Sequence, residues 1–98
     1  MSKTVLNCRF INAQIMHVLH PATFQVPSQF ELDALKPHDH VKVNHGKERF
    51  WVLVTQINGE RITGVVDNDL INRHPFECGD TIQFKKCNAY AVILKPVI

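Results

Sequence analysis

The sequence predicts a mainly β domain of the α+β kind. The expected form is a small, strongly curved antiparallel sheet or open barrel of five or six strands, with one or two short helices near the N-terminus. Three observations carry this expectation. Residues 47–69, KERFWVLVTQINGERITGVVDND, set two β-forming runs on either side of Asn58-Gly59, a strong hairpin signal because both turn residues tolerate positive φ. Short apolar-polar-apolar runs recur at HVKVN, TIQFKK and AYAVIL. Helical spacing, by contrast, is found only before residue 37.

Taken in order, residues 4–11 (TVLNCRFI) put Leu6, Cys8 and Phe10 on one side at period two, as a half-buried strand would. The period changes at Asn12. Ile11, Ile15, Met16, Val18 and Leu19 fall on one helical stripe, with Asn12 placed to cap a helix over 12–20 and Pro21 to stop it. Ser28 and Glu31 have the spacing of a capping box, which opens a short helix at 28–36. Phe30, Leu35 and Ala34 are expected to face the core there, and Pro37 ends the element. Val41 and Val43 share one face of the next strand, and strands at 49–57, 60–67, 81–86 and 89–94 complete the sheet. LKPHDHVKV and FECGDTIQF also share a hydrophobe, a turn ending in Asp and an alternating strand, so the same turn-then-strand device is used twice.

A two-residue turn at Asn58-Gly59 pairs Ile57 with Glu60, Leu53 with Gly64, Trp51 with Val66 and Arg49 with Asn68. Phe50, Val52, Val54 and Val65 then form the core face. The opposite face mixes Trp51 with Arg49, Gly64 and Asn68. A longer turn or a bulge shifts this register by one residue and flips one strand. A strand glycine leaves room for an aromatic ring or an approaching ligand. Arg49, Trp51, Gly64 and Asn68 are therefore the candidate ligand-binding residues, with the Trp51 indole at the boundary of core and surface. Full burial of Trp51 as a packing residue is the competing reading. Asp67-Asn68-Asp69 reads as turn chemistry, since the spacing and terminal Glu of a calcium loop are absent.

Ninety-eight residues make one domain, able to bury a core without disulfide or metal. A formal charge of +2, spread along the chain, argues against a nucleic-acid binder. Neither a membrane span nor the apolar stretch of a secretory signal is present, so a cytoplasmic protein is expected. The three cysteines, Cys8, Cys78 and Cys87, lack C-x-x-C spacing and read as reduced thiols. Six histidines raise the question of a metal. His17 and His20 share a helix face and are the weak candidates, but no zinc signature surrounds them, and no metal or cofactor is expected. No P-loop, dinucleotide fingerprint or G-x-S-x-G occurs, which leans away from an enzyme.

The stretch ERFWVLVTQINGERITGVVDNDL followed by CGDTIQF resembles a group of small uncharacterised bacterial domains. Their pattern is an acidic residue, F-W-V, a hairpin, a glycine, an Asp/Asn-rich turn, then Gly-Asp before a strand. The upstream HPATFQVPSQFELDALKPHDHVKV extends the resemblance to residues 12–92; it departs at His38-Asp39, where the pattern has Gly-Asp. The resemblance implies a compact, cytoplasmic, mostly β domain, of the kind that occurs as free-standing bacterial, mobile-element or phage proteins. It implies no activity and no catalytic residues.

The function expected from these readings is a non-enzymatic binding or interaction module, with an unknown small molecule or protein docking on the Trp51 face. The alternatives are a small hydrolase acting on a nucleotide or similar polar substrate, and a self-associating structural protein. A twofold homodimer is also expected, because a hairpin apolar on both faces needs cover on both.

Overall fold

A computed structural model of the chain describes residues 3–6, 8–22 and 25–96. Its elements are β1 (Thr4–Val5), α1 (Ala13–Leu19), α2 (Gln29–Asp33), β2 (His40–His45), β3 (Glu48–Asn58), β4 (Arg61–Val66), β5 (Thr81–Lys85), a short 3-10 turn at Lys86–Asn88 and β6 (Ala91–Ile93). The strands form one sheet in the order β1-β5-β4-β3-β2-β6, open at both edges and not closed into a barrel. The sheet is mixed, because β1 runs parallel to β5 while the other pairs are antiparallel.

One face of this sheet is the core. Val41, Val43, Phe50, Val52, Val54, Ile62, Val66, Ile82 and Phe84 alternate inward along four strands and are buried. Each such side chain contributes roughly 1.5–3 kcal/mol by leaving water. Leu32, Leu35, Phe76 and Ala89 close over that face from α2 and the connecting segments. Both helices start where the sequence places them. Asn12 Oδ1 accepts from the Ile15 amide at 3.0 Å, and Ser28 with Glu31 forms a complete capping box.

The hairpin register differs from the expected one. Asn58 pairs with Arg61, so the turn residues are Gly59 and Glu60, and Gly59 takes φ +62°. Glycine with positive φ at the first central position is the type II′ solution, which Gly59-Glu60 satisfies as well as Asn58-Gly59 would have satisfied type I′. A bulge between Val54 and Gln56 then absorbs one residue, and Val54 pairs with Gly64, Leu53 with Val65, Val52 with Val66. Phe50, Val52 and Val54 keep the core face, but β4 is flipped. Ile62, Gly64 and Val66 point inward, and Val65 is only half-buried.

Three further expectations are corrected. Among the described residues of the first run only Thr4–Val5 are strand, and Leu6 is exposed while Cys8 and Phe10 pack against the core. The apolar stripe of α1 is only partly covered: Ile11 and Met16 are half-buried, Ile15, Val18 and Leu19 stand in solvent, and the buried residue of the helix is Ala13, outside the stripe. Of the residues expected inward at 28–36, Leu35 is buried, but Phe30 is 82% exposed and Ala34 is exposed as well, and the inward residue of α2 is Leu32. Helices this short present one side chain per face to the core, so a spacing rule written for longer helices misassigns the stripe.

The twice-used turn device is real in three dimensions. Asp39 and Asp80 are both buried, at 0% and 5% exposure. Asp39 accepts the Lys36 amide at 3.0 Å and Asp80 the Glu77 amide at 2.8 Å. The residue before each has positive φ, 79° at His38 and 93° at Gly79. His38 and Gly79 then donate to the carbonyls of Val54 and Val66. The inner four strands are consequently related by a pseudo-twofold at the β3–β4 seam, β5 with its turn matching β2 with its own; the edge strands break the relation, since β1 is parallel to β5 and β6 antiparallel to β2.

Candidate functional site

The core-opposed face of the sheet carries the alternate residues. Direct cross-strand pairing sets Lys42 beside Trp51 and His40 beside Leu53 on one side, and Val65 beside Leu53 on the other. Trp51, Leu53 and Val65 are half-buried, and Asp67 and Arg49 are exposed. α2 packs on the other face through Leu32 and Leu35, and α1 packs on the 3-10 turn. The outer face is therefore open around Trp51.

At its centre, the Lys42 ammonium lies 5.0 Å from the centroid of the Trp51 ring, a cation–π contact made possible by the facing strand register. His40 Nε2 is 2.8 Å from Asp67 Oδ2. A recess of about 230 Å³ is lined by His40, Trp51, Asp67 and Ile93. It continues into a groove of about 470 Å³ that adds His38, Leu53, Leu94 and Lys95. The two share His40 and Ile93, so the face offers an apolar floor with a histidine–carboxylate edge.

The four sequence-derived site residues do not converge. Trp51 sits at the recess. Asn68 is near it, but its Oδ1 accepts the Trp51 backbone amide at 3.0 Å and holds the strand end rather than the indole. Arg49 lies over the Tyr90 ring, 4.5 Å from its centroid. Gly64 is on the other face, because the register shift turned it inward. A Cβ there would run into Val52 Cγ1 and lie 2.7 Å from the Leu53 carbonyl oxygen, so this glycine serves strand contact and not ligand access. His40, which lines the recess, and Lys42, which lies over the Trp51 ring, come from another strand. Only the β2–β3 pairing brings them there, and no local motif announces it.

A second polar cluster lies on the opposite face of the same two strands, beside the β2–β3 turn. Glu48 accepts the Ile71 and Asn72 amides, both at 2.8 Å, and His74 Nε2 at 2.8 Å. His74 Nδ1 is in turn 2.8 Å from His45 Nδ1. A carboxylate only accepts, so His74 Nε2 donates to it, and the two Nδ1 atoms share a single proton between them. The hydrogen bond from the Ile71 amide, then that from His74 and that from Asn72, hold the Glu48 carboxyl at about 2 against desolvation. Burial, and then the charge on His74, push His45 below its ordinary value. Phe10, Phe50 and Phe76 surround both imidazoles. The arrangement clasps the 69–76 segment to β2 and β3.

His17 is half-buried and His20 exposed at the end of α1. Among the described residues no three His, Cys, Asp or Glu side chains come together in a way that could hold a metal ion. No helix among the described residues is long and apolar enough to cross a membrane. Compared with protein-family models, with curated proteins and with solved structures, the chain matches none.

Proposed function

We propose that this chain is a binding module that takes a small molecule or a protein segment on the open sheet face at Trp51. The supporting observation is the recess itself: a half-buried indole edged by the His40–Asp67 pair and floored by Leu53 and Ile93. Few convergent polar groups over an apolar floor is the usual make-up of a ligand site. A flat group stacking on the indole gains on the order of 1 kcal/mol, and it would take the place of the Lys42 ammonium. Lys42 then becomes free to meet a negative charge on the same ligand.

The single tryptophan makes the test direct. Iodide quenches its fluorescence if the indole is accessible, and a screen of aromatic fragments by NMR should shift the Trp51 indole NH together with His40 and Leu53. Trp51→Phe should weaken the fragments that bind while leaving the fold intact. An unquenched indole, or fragments that settle elsewhere, ends this reading.

One observation favours a second reading, a small hydrolase. His40 and Asp67 are within hydrogen-bond reach beside an aromatic platform, as an oriented general base would be. The recess is lined by no Ser, Thr or Cys, so water would have to be the nucleophile. Loss of nucleotide hydrolysis in His40→Gln, with fragment binding retained, separates this reading from the first.

A further inference from the structure

Arg61 and Lys85 are direct partners across β4 and β5, so two cations stand side by side on one face, where like charges oppose pairing. Arg61 turns to a neutral neighbour, its Nη1 lying 3.4 Å from Gln83 Oε1. Gln83 is itself anchored, donating through Nε2 to Thr63 Oγ1 at 3.2 Å. Arg9 joins them on the far wall of one cleft of about 430 Å³. Among the described residues none of these three cations is in an ion pair. Glu60, next to Arg61 in the hairpin turn, pairs with none of them, and Lys86 is already engaged by Asp33 at 3.5 Å.

The walls of the cleft are held in place by a buried amide. Asn88 Oδ1 accepts the Lys85 amide at 2.8 Å, and its Nδ2 donates to the carbonyls of Phe10 at 3.3 Å and Ile11 at 3.2 Å. One side chain thereby ties the segment carrying Arg9 to the strand carrying Lys85. Phe10 and Phe84 give the cleft an apolar floor between the charges.

We infer that this cleft is a second binding site, for the phosphate group of a small phosphorylated molecule. Three cations with no carboxylate partner call for an oxyanion. The guanidinium fork matches two phosphate oxygens, and Lys85 supplies a point charge. The anion also relieves the Arg61–Lys85 opposition, so binding stabilises the β4–β5 pair. The volume suits a small molecule, whereas a nucleic-acid track needs a longer basic stripe than a chain of net charge +2 provides. Arg61 lies six residues along β4 from Asp67, roughly 20 Å away, so the site is separate from the Trp51 recess.

The test is a titration of the full chain with inorganic phosphate and with phenyl phosphate, followed by amide NMR, with sodium chloride at matched ionic strength as control. Saturable shifts at residues 9–12 and 83–88, tighter for phenyl phosphate and absent with chloride, are expected. Arg61→Gln and Lys85→Gln should each weaken binding by about tenfold or more, and Trp51→Phe should not affect it. Lys85→Gln should also raise the melting temperature in phosphate-free buffer, since it removes the cation facing Arg61. Arg9→Gln, on the opposite wall, is the fallback if either strand variant fails to fold. No saturable shift, shifts untouched by these variants, or a melting temperature lowered by Lys85→Gln overturns the proposal. So does saturation by a short single-stranded oligonucleotide with none by phenyl phosphate, which would make the cleft a nucleic-acid surface.

Discussion

The turn before β2 and the turn before β5 are the same piece of engineering made from different residues. Each buries a hydrophobe, Leu35 or Phe76, and then an aspartate that accepts the amide three residues back. Each aspartate also reaches an outer segment: Asp39 Oδ1 takes the Lys95 amide at 2.7 Å, and Asp80 Oδ1 the Lys3 amide at 3.0 Å. The differences are in what surrounds them. Asp39 has in addition the Lys36 ammonium at 2.9 Å. Its left-handed position is filled by His38, where the second turn has Gly79. The first turn is approached by a capped helix, and the second by the irregular 69–76 segment that Glu48 and the two histidines clasp. The lesson is that the buried Asp is what the device requires, while glycine is only the least strained way to precede it.

The largest expected effect separates the two aspartates. Burial alone would raise the Asp39 carboxyl, but hydrogen bonds from the Lys95 amide and the Lys36 ammonium and amide outweigh it and keep it below the ordinary 3.8. Asp39→Ala strands those donors and should cost about 3 kcal/mol in urea unfolding. Asp80, held low by the Lys3 and Glu77 amides against desolvation with a smaller contribution from the Lys3 charge, has no lysine ion-paired to it among the described residues and should be the milder loss. Equal effects would show that Lys36 adds nothing.

Gly64 lies at the seam between the two halves. Gly64→Ala forces a Cβ against Val52 and the Leu53 carbonyl, so a loss of about 2 kcal/mol is expected in the same assay. A neutral result would mean that β3 and β4 can part without cost, and the seam would not be the axis relating the two turns.

The left-handed positions come next. His38→Gly should stabilise by up to about 1 kcal/mol, and Gly79→Ala should destabilise by a similar amount, because a Cβ is strained at positive φ. If His38→Gly destabilises instead, the imidazole makes a contribution in the groove that exceeds its backbone strain.

The smallest effect is local and pH-dependent. His45 titrates below its ordinary 6.5 because burial disfavours its charge. The stability it lends is complete above 6.5 and declines as pH falls from there through the folded value. Glu48, lowered from 4.5 to about 2, contributes fully above 4.5 and loses its contribution on descent through about 2. Hydrogen exchange between pH 7 and pH 5 should therefore rise first in residues 69–76 and leave 28–39 unchanged. Simultaneous loosening of both would show that the clasp is not what distinguishes them. His45→Gln should flatten the response above pH 5.

Much of the fold was legible because its signals are short-range. The alternation in β2, β3 and β5, the Ser28–Glu31 capping box and the echo of LKPHDHVKV in FECGDTIQF each depend on residues a few positions apart. Less of the site was legible. Trp51 stood out as the lone tryptophan, but Arg49, Gly64 and Asn68 were attached to it by an assumed register that the bulge at Thr55 undid. A bulge leaves no necessary residue signature, and one residue of slip exchanges the faces of a strand.

By itself the sequence determined the approximate strand segments, that 49–57 and 60–67 form a hairpin near Asn58-Gly59, and that a turn ending in Asp opens two of the strands, because local hydrogen bonding and period-two burial act between near neighbours. Tertiary structure alone decided the parallel seating of β1, the inward place of Gly64 and the exposure of Ile15, Val18 and Leu19 on α1. It also decided the meeting of His40 with Asp67, of Glu48 with His74 and His45, and of Arg61 with Lys85 and Arg9. Those are contacts between residues far apart in the chain, and their geometry exists only once sheet order and register have been settled by the packing of the whole core.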